Sequence, residues 1–303
     1  MSDLLTLFLD NLLPIFLAAG SGYLLSKFLH INPRHLSQVI FYVFSPCLIF
    51  SLIANSNLSN GDILRMMAFA TGTSLLVGIL AFTAGWILKL ERRMLAAVML
   101  TSMFMNAGNF GLSLNMFAFG QSALAYASLY FVTNSMLIYS VGVIIASMGK
   151  TSFTQALFNL VKIPAIYAVV LAFGFLSAGW QLPLPLDRTV TLLGEAAIPT
   201  SLVLLGLQFP SMRWAGRYLP LTLTNVLRLL VGPAIALGLS LIFGLQGAAR
   251  QAGIIESAMP TAVMTTVVAT EFDTEPAYVT SAVFITTLLS ALTLTPILAY
   301  LRG

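Results

Sequence analysis

Long apolar stretches separated by short polar connectors make up the whole chain. A helix needs about 20 apolar residues to cross the hydrocarbon core of a bilayer. Ten stretches approach or exceed this length, at 4–26, 36–55, 65–88, 94–118, 122–147, 157–178, 190–210, 218–244, 250–271 and 276–300. The connectors hold most of the turn-forming residues, as in NSNLSNGD at 55–62. The pattern therefore predicts an all-α integral membrane protein with ten transmembrane helices.

Composition and charge agree with a multi-pass protein of the cell inner (plasma) membrane. Of 303 residues, 58% are hydrophobic and 8% are charged, against about 25% charged in an ordinary soluble domain. The net charge of +4 comes from scattered Lys and Arg. Such a distribution sets the orientation of the helices in the membrane. We therefore expect membrane lipid, and no nucleic acid, as a partner. Connectors after odd-numbered stretches hold eight of these cations and the others four. We therefore expect both termini outside the cytoplasm.

The two halves of the chain resemble each other. At an offset of 153 or 154 residues the matches are Pro46 with Pro199, Arg34 with Arg188 and, by residue class, 122–133 with 276–287. They divide the chain into five-helix repeats at 1–150 and 151–303. Because five is odd, the second repeat must enter the membrane in the opposite direction, which predicts inverted repeats.

One apolar stretch in each half contains residues that interrupt a helix. The segment MFMNAGNFGLSLN at 103–115 carries three asparagines and two glycines, and its counterpart AMPTAVMTT at 258–266 carries Pro260. In inverted-repeat transporters, matching broken helices meet at the bilayer midplane and build the substrate site. We therefore predict crossed, broken helices 4 and 9. The alternative is that Asn and Gly here only pack helices together.

The predicted crossing supplies candidate substrate ligands. Freed backbone groups need partners inside the bilayer, while half-helix N-termini favour an anionic group. Positions 133, 134, 286 and 287 occupy matching places in helices 5 and 10, where they would face the crossing. The candidate substrate-binding residues are Asn106, Asn109, Asn134, Pro260 and Thr261.

Ionisable residues within membrane helices are costly and suggest function. Glu256 lies one turn before Pro260, so we predict a coupling site for sodium or a proton at Glu256, with the hydroxyls of Thr261, Thr265 and Thr133. The alternative is that Glu256 pairs with Arg250 or faces water near the membrane surface.

Two further charges lie in helices 7 and 8. We predict a structural ion pair between Glu195 and Arg228, the alternative being that Arg228 binds the anion. Lys162 is expected to reach the cytoplasmic interface.

Enzymatic chemistry is not expected. The sequence contains no HExxH or GxSG motif, no histidine within a predicted span and no P-loop. His30 and His35 lack the spacing of a metal site. We expect no cofactor other than a possible sodium ion at Glu256.

Several segments resemble the auxin efflux carrier family, which shares the fold of the bile acid:sodium symporter superfamily. They are NAGNFGLSL, LGEAAIPTSLVLLGL at 193–207, AMPTAV and NLVKIP. The resemblance implies ten helices in two inverted repeats, with helices 1, 2, 6 and 7 as a scaffold that can form a homodimer. Helices 3–5 and 8–10 would then form a transport domain that moves organic anions by an elevator-type motion.

Individual residues carry the resemblance further. Asn106 stands where the auxin carriers place the asparagine of their first crossover, whereas Thr261 replaces their second one. The run ESAMPT at 256–261 is similar to the ExxMQN run in which the glutamate of bile acid carriers binds sodium. We therefore expect a secondary active transporter of a small organic anion. The alternatives are a membrane sensor that does not transport and a passive channel.

Overall fold

The computed structural model describes residues 4–29, 31–56, 58–147, 161, 163–211 and 216–302. These residues form helices and connectors with one isolated antiparallel β-bridge. The helices are α1 Leu4–Phe28, α2 Pro33–Ala54, α3 Asn60–Ile87, α4 Arg92–Met103, α5 Ala107–Ala146, α6 Pro164–Ala178, α7 Leu184–Gln208, α8 Tyr218–Ile242, α9 Gly247–Ala258, α10 Met264–Glu271 and α11 Pro276–Arg302.

Within the described residues, seven helices are long and apolar enough to cross a membrane: α1, α2, α3, α5, α7, α8 and α11. Helix α6 is a shorter apolar helix of 15 residues. Large apolar side chains on the outer faces, such as Leu17, Leu64 and Ile242, are exposed and suit contact with lipid. The protein is therefore an all-helical membrane protein. The start of the stretch predicted at 157–178, with Lys162, lies outside the described residues.

Helix α5 turns sharply at Gly120. Its 40 residues would extend roughly 60 Å if straight, about twice the thickness of the hydrocarbon core. Gly120 has φ 76° and ψ −165°, a conformation that favours glycine. It divides α5 into a first arm, 107–119, and a second arm, 121–146, at the place where the hydropathy pattern separates two stretches.

The helices pack in two groups. In the four-helix group, α1 packs against α7, and α2 against α6 and α7. In the crossover group, α3 packs against α4, α5 and α8, and α9 against α5 and α8. Helices α10 and α11 also belong to the crossover group and contact each other. The two groups meet mainly where α2 and α7 face α5.

Glycines bring α1 and α7 into backbone contact. A Cβ atom added to Gly22 would lie 2.0 Å from the carbonyl oxygen of Val203, and one added to Gly206 would lie 1.7 Å from that of Ala19. Small residues allow this close approach between membrane helices, where van der Waals packing drives association. The α1–α7 contact therefore leaves no space for larger side chains at these two positions.

We predict that Gly22→Ala lowers the free energy of unfolding by about 1–3 kcal/mol, because the new methyl group forces α1 away from α7. Gly20→Ala is the matched control on the same helix, since a Cβ atom there meets nothing within 4 Å. That control should be neutral, or stabilising by about 0.5–1 kcal/mol. Thermal unfolding in detergent measures both, and equal midpoints for the two variants would contradict the close packing.

Candidate substrate site at the helix crossing

Two helices are broken where the sequence predicts interruptions, and the breaks meet. Helix α4 ends at Met103 and α5 begins at Ala107, while α9 ends at Ala258 and α10 begins at Met264. Phe104 and Met259, the first residues of the two breaks, are extended. The breaks run antiparallel and form a β-bridge between Met105 and Thr261. The predictions that these two segments break and meet are confirmed.

Two hydrogen bonds join the breaks. The backbone N–H of Asn106 donates to the carbonyl of Pro260 over 2.7 Å, and that of Ala262 donates to the carbonyl of Phe104 over 3.0 Å. The two donors are 156 residues apart in the chain, and so are the two acceptors. This equal separation is the geometry of an antiparallel bridge between Met105 and Thr261.

Side chains satisfy other backbone groups of the breaks. Asn134 donates its amide to the carbonyl of Met105 (3.0 Å), and Thr286 accepts from the N–H of Thr261 (3.1 Å). The hydroxyl of Thr261 donates to the carbonyl of Thr101 over 2.7 Å. Because these groups find partners inside the protein, the helices can unwind at membrane depth. Of the four positions expected to face the crossing, Asn134 and Thr286 bond to it, whereas Thr133 and Thr287 donate to the carbonyls of Leu129 and Val283 in their own helices.

The structure corrects the predicted ion pair between Glu195 and Arg228. Arg228 is fully buried and donates to the carbonyls of Ser102 (2.9 Å) and Ser257, in the last turns of α4 and α9. Glu195 is exposed on α7, in the other helix group. The final carbonyls of a helix lack partners within it, so they provide nearby acceptors for this guanidinium.

A cavity lies between the crossing and the four-helix group. Its volume is about 120 Å³, enough for several waters or a small organic ion, since one water needs about 10–15 Å³. None of the described residues that line it is charged. The polar lining side chains are Ser37, Ser45, Asn106, Asn109, Asn134, Ser135, Tyr139, Ser201 and Gln208.

Two helices begin at the wall of this cavity. In the first turn of α5, the N–H groups of Gly108 and Asn109 have no acceptor in the described part of the chain. The same holds for the N–H groups of Val263 and Met264 at the start of α10. Free N–H groups and the positive end of the helix dipole favour a bound anion. Both helix starts therefore present anion-binding groups to one cavity.

Three of the five predicted substrate-binding residues line the cavity, and two do not. Asn106, Asn109 and Asn134 line the cavity, and the side-chain nitrogen of Asn106 is buried without a hydrogen-bond partner among the described residues. Pro260 and Thr261 are fully buried in the pairing between the breaks and do not line the cavity. Substrate contact stays a prediction for the three asparagines. The serines that α2 and α7 contribute carry no signal in the sequence, because serine is common in membrane helices.

Glu256 is buried between α9 and the first arm of α5. Its Oε1 accepts a hydrogen bond from Asn115 over 3.0 Å, and its Oε2 has no partner in the described part of the protein. A Cβ atom on Gly111 would lie 2.2 Å from Oε2, so only glycine fits beside this carboxyl group. The alternative of pairing with Arg250 or facing water is wrong, because Arg250 donates to the Tyr300 hydroxyl over 2.8 Å and Glu256 is inaccessible.

The predicted coupling hydroxyls do not bond to Glu256. Thr133, Thr261 and Thr265 donate instead to the carbonyls of Leu129, Thr101 and Ala262, respectively. Asn115, the actual hydrogen-bond partner of Glu256, was not among the sequence candidates. Its signal is its position one helical turn after Gly111 in the segment that breaks, which places both residues on one helix face.

The sequence of the chain matches a known protein family and several known proteins. Residues 7–298 match the model of a family described as membrane transport protein. An uncharacterized transporter of Methanocaldococcus jannaschii is 28% identical over 94% of this chain and 96% of its own. A putative malonate transporter of Rhizobium meliloti is 25% identical over 96% of this chain and 95% of its own.

A plant protein also matches part of the chain. Auxin efflux carrier component 3a of Oryza sativa subsp. japonica is 27% identical over 41% of this chain and 21% of its own. The family match covers nearly the whole chain, and the relatives are named as transporters. The protein therefore belongs to the membrane transport protein family, which is the auxin efflux carrier family, and it is not an enzyme.

Proposed function

We propose that the protein is a secondary active transporter of a small organic anion, which binds in the cavity at the helix crossing. The observation that carries this proposal is the convergence of two helix N-termini, with free N–H groups, on a cavity whose described lining has no charged side chain. Carboxylate oxygens accept from such N–H groups and from the amide nitrogen of Asn106. The similarity to a putative malonate transporter supports a small carboxylate.

The helix packing supports an elevator-type mechanism. The four-helix group would act as a scaffold, the crossover group would slide against it, and the cavity lies at the seam between them. The meeting of one broken helix from each half of the chain supports two inverted five-helix repeats. Substrate bound at the crossing would move with the crossover group and become accessible from each side of the membrane in turn.

Glu256 is the candidate coupling residue. A buried carboxylate with one unpartnered oxygen is costly in a membrane protein, and a proton or a sodium ion would reduce that cost. The carboxylate of Glu256 and the amide oxygen of Asn115, which also has no partner among the described residues, are the hard oxygen ligands that such a cation prefers. Cation binding here would favour anion binding in the cavity, which the first arm of α5 also lines.

Flux measurements test this function. Purified protein in liposomes should take up labelled malonate or another small carboxylate when a sodium gradient or a pH gradient is imposed, and only one of the two gradients should drive accumulation. Liposomes without protein give the background. Saturable binding without flux would favour a sensor, and flux that ignores both gradients would favour a passive channel. Absence of any carboxylate flux and binding would contradict the proposal.

Orientation and assembly stay predictions. Both termini are expected outside the cytoplasm, and a homodimer would form through the four-helix group. Cysteine labelling from each side of the membrane tests the first expectation, and the mass of the detergent-solubilised protein tests the second.

A further inference from the structure

Arg228 is a buried cation that lies outside the cavity. Its exposed fraction is 0%, and no carboxylate of the described residues forms an ion pair with it. It does not line the cavity at the crossing. A charge this deep in a membrane protein is costly unless something compensates it, so its partners define its role.

Those partners are the ends of both broken helices. One guanidinium nitrogen donates to the carbonyl of Ser102 over 2.9 Å, with a longer contact of 3.5 Å to that of Met103. The other nitrogen donates to the carbonyl of Ser257. These carbonyls belong to the last turns of α4 and α9. A single side chain therefore joins the C-terminal ends of the two half-helices that precede the breaks.

The charges of the helix ends explain the need for a cation at this place. Each helix C-terminus carries about −0.5 elementary charge and each N-terminus about +0.5. The ends of α4 and α9 together thus present about one negative charge, and one guanidinium neutralises it. The starts of α5 and α10 together present about one positive charge to the cavity.

The negative ends lie close to the substrate cavity. Three residues separate Met103, the end of α4, from Ala107, the start of α5, and the four Cα-to-Cα steps between them span at most about 14 Å when extended. At that separation, in a medium of low dielectric constant, uncompensated C-termini would offset much of the attraction that the N-termini exert on an anion. The cavity can therefore attract anions because the charge on the opposite side of the crossing is neutralised.

We propose that Arg228 is the positioning and specificity-determining residue that makes the cavity selective for anions. This inference rests on the proposed transport of an organic anion. Arg228 acts through the backbone: it clamps the two half-helices and neutralises their negative ends, and it does not touch the substrate. Removal of the charge should therefore weaken anion binding in proportion to the charge of the anion.

The test compares two ligands in four proteins. Binding of malonate, with two negative charges, and of monomethyl malonate, with one, is measured for the wild type, Arg228→Gln, Arg228→Lys and Arg250→Gln. Arg250 lies on α9 and bonds to Tyr300 away from the cavity, so its variant controls for loss of an arginine. Thermal unfolding in detergent reports whether each variant folds.

Because electrostatic energy scales with ligand charge, Arg228→Gln should lower malonate affinity about tenfold and monomethyl malonate affinity about threefold. Arg228→Lys keeps the positive charge but loses the planar guanidinium with its several N–H donors. It should keep malonate affinity within about threefold of the wild type. The Arg250 control should bind both ligands as the wild type does. A role limited to clamping the helices would weaken both ligands equally and affect the Lys variant as strongly.

Several results would overturn the inference. In folded protein, unchanged malonate affinity of Arg228→Gln, or an equal loss for both ligands, would contradict it. If the Gln variant does not fold, the Lys variant decides, and a tenfold loss of malonate affinity there would contradict it. Failure of both variants to fold would also overturn the inference, because a guanidinium would then be needed for the fold itself even when the positive charge is kept. If the wild type binds neither ligand, the proposed small-carboxylate function fails, and the inference fails with it.

Discussion

Replacing Asn106 with alanine is expected to reduce carboxylate transport by about 10- to 100-fold while the protein still folds and inserts. Asn106 lines the cavity, and its side-chain nitrogen is buried without a hydrogen-bond partner among the described residues, so substitution removes an unpaired donor from the cavity wall. A hydrogen bond to a charged group contributes about 1.5–3 kcal/mol. Alanine keeps the backbone N–H that donates to Pro260, so the crossing itself should stay intact. Initial rates of labelled malonate uptake into liposomes measure the effect.

Asn225→Ala provides the matched control. Asn225 lies on α8 and donates its amide to the carbonyl of Leu221 in the preceding turn, away from the cavity. Its variant should transport at the wild-type rate. Equal transport by Asn106→Ala and the wild type would remove the Asn106 amide from the substrate site.

Replacing Glu256 with glutamine is expected to abolish ion-driven accumulation of the anion, although the variant should still bind the anion. Glutamine has nearly the same shape and fits beside Gly111, but it cannot exchange a proton or neutralise a sodium ion. The variant should therefore equilibrate labelled malonate without accumulating it, and an imposed sodium or pH gradient should have no effect. Uptake with each gradient, and exchange without one, give the two readouts.

Glu195→Gln is the control for the loss of a carboxylate. Glu195 is exposed on α7, and its variant should accumulate the anion as the wild type does. If Glu256→Gln retains the gradient dependence of the wild type, then Glu256 is a structural group. In that case the coupling ion binds elsewhere.

The sequence was sufficient to predict the crossing. Asparagine and glycine between 103 and 115, and Pro260 in the matching segment, are residues that interrupt apolar helices. The weak internal repeat then related the two interruptions. The structure contains both breaks and joins them by hydrogen bonds. Helix interruption is a local property of residue types, which explains why sequence reasoning could find it.

The partners of buried charges could not be predicted in the same way. Arg228 bonds to backbone carbonyls, which every residue possesses, so no residue type in the sequence marks its partners. Charge complementarity alone suggested Glu195, which the fold places on the other helix group. The contact between Glu256 and Asn115 likewise depends on how α9 crosses the first arm of α5.

The close packing of α1 against α7 could not be predicted from the sequence either. Gly22 and Gly206 lie in apolar stretches where glycine is common, and only the helix arrangement shows that each faces a backbone carbonyl. The hydrophobic pattern indicates which segments enter the membrane. It does not indicate which faces of those segments touch, because lipid and protein interiors are equally apolar.

A density map of the protein saturated with a small carboxylate tests the central claim most directly. The ligand should be the carboxylate that most raises the unfolding temperature in a screen, since a ligand of the folded state stabilises it. We predict carboxylate density within hydrogen-bonding distance of the first N–H groups of α5 and α10 and of the Asn106 side chain. Continuous helices through 104–106 and 259–261, or a ligand bound away from the crossing, would contradict the account.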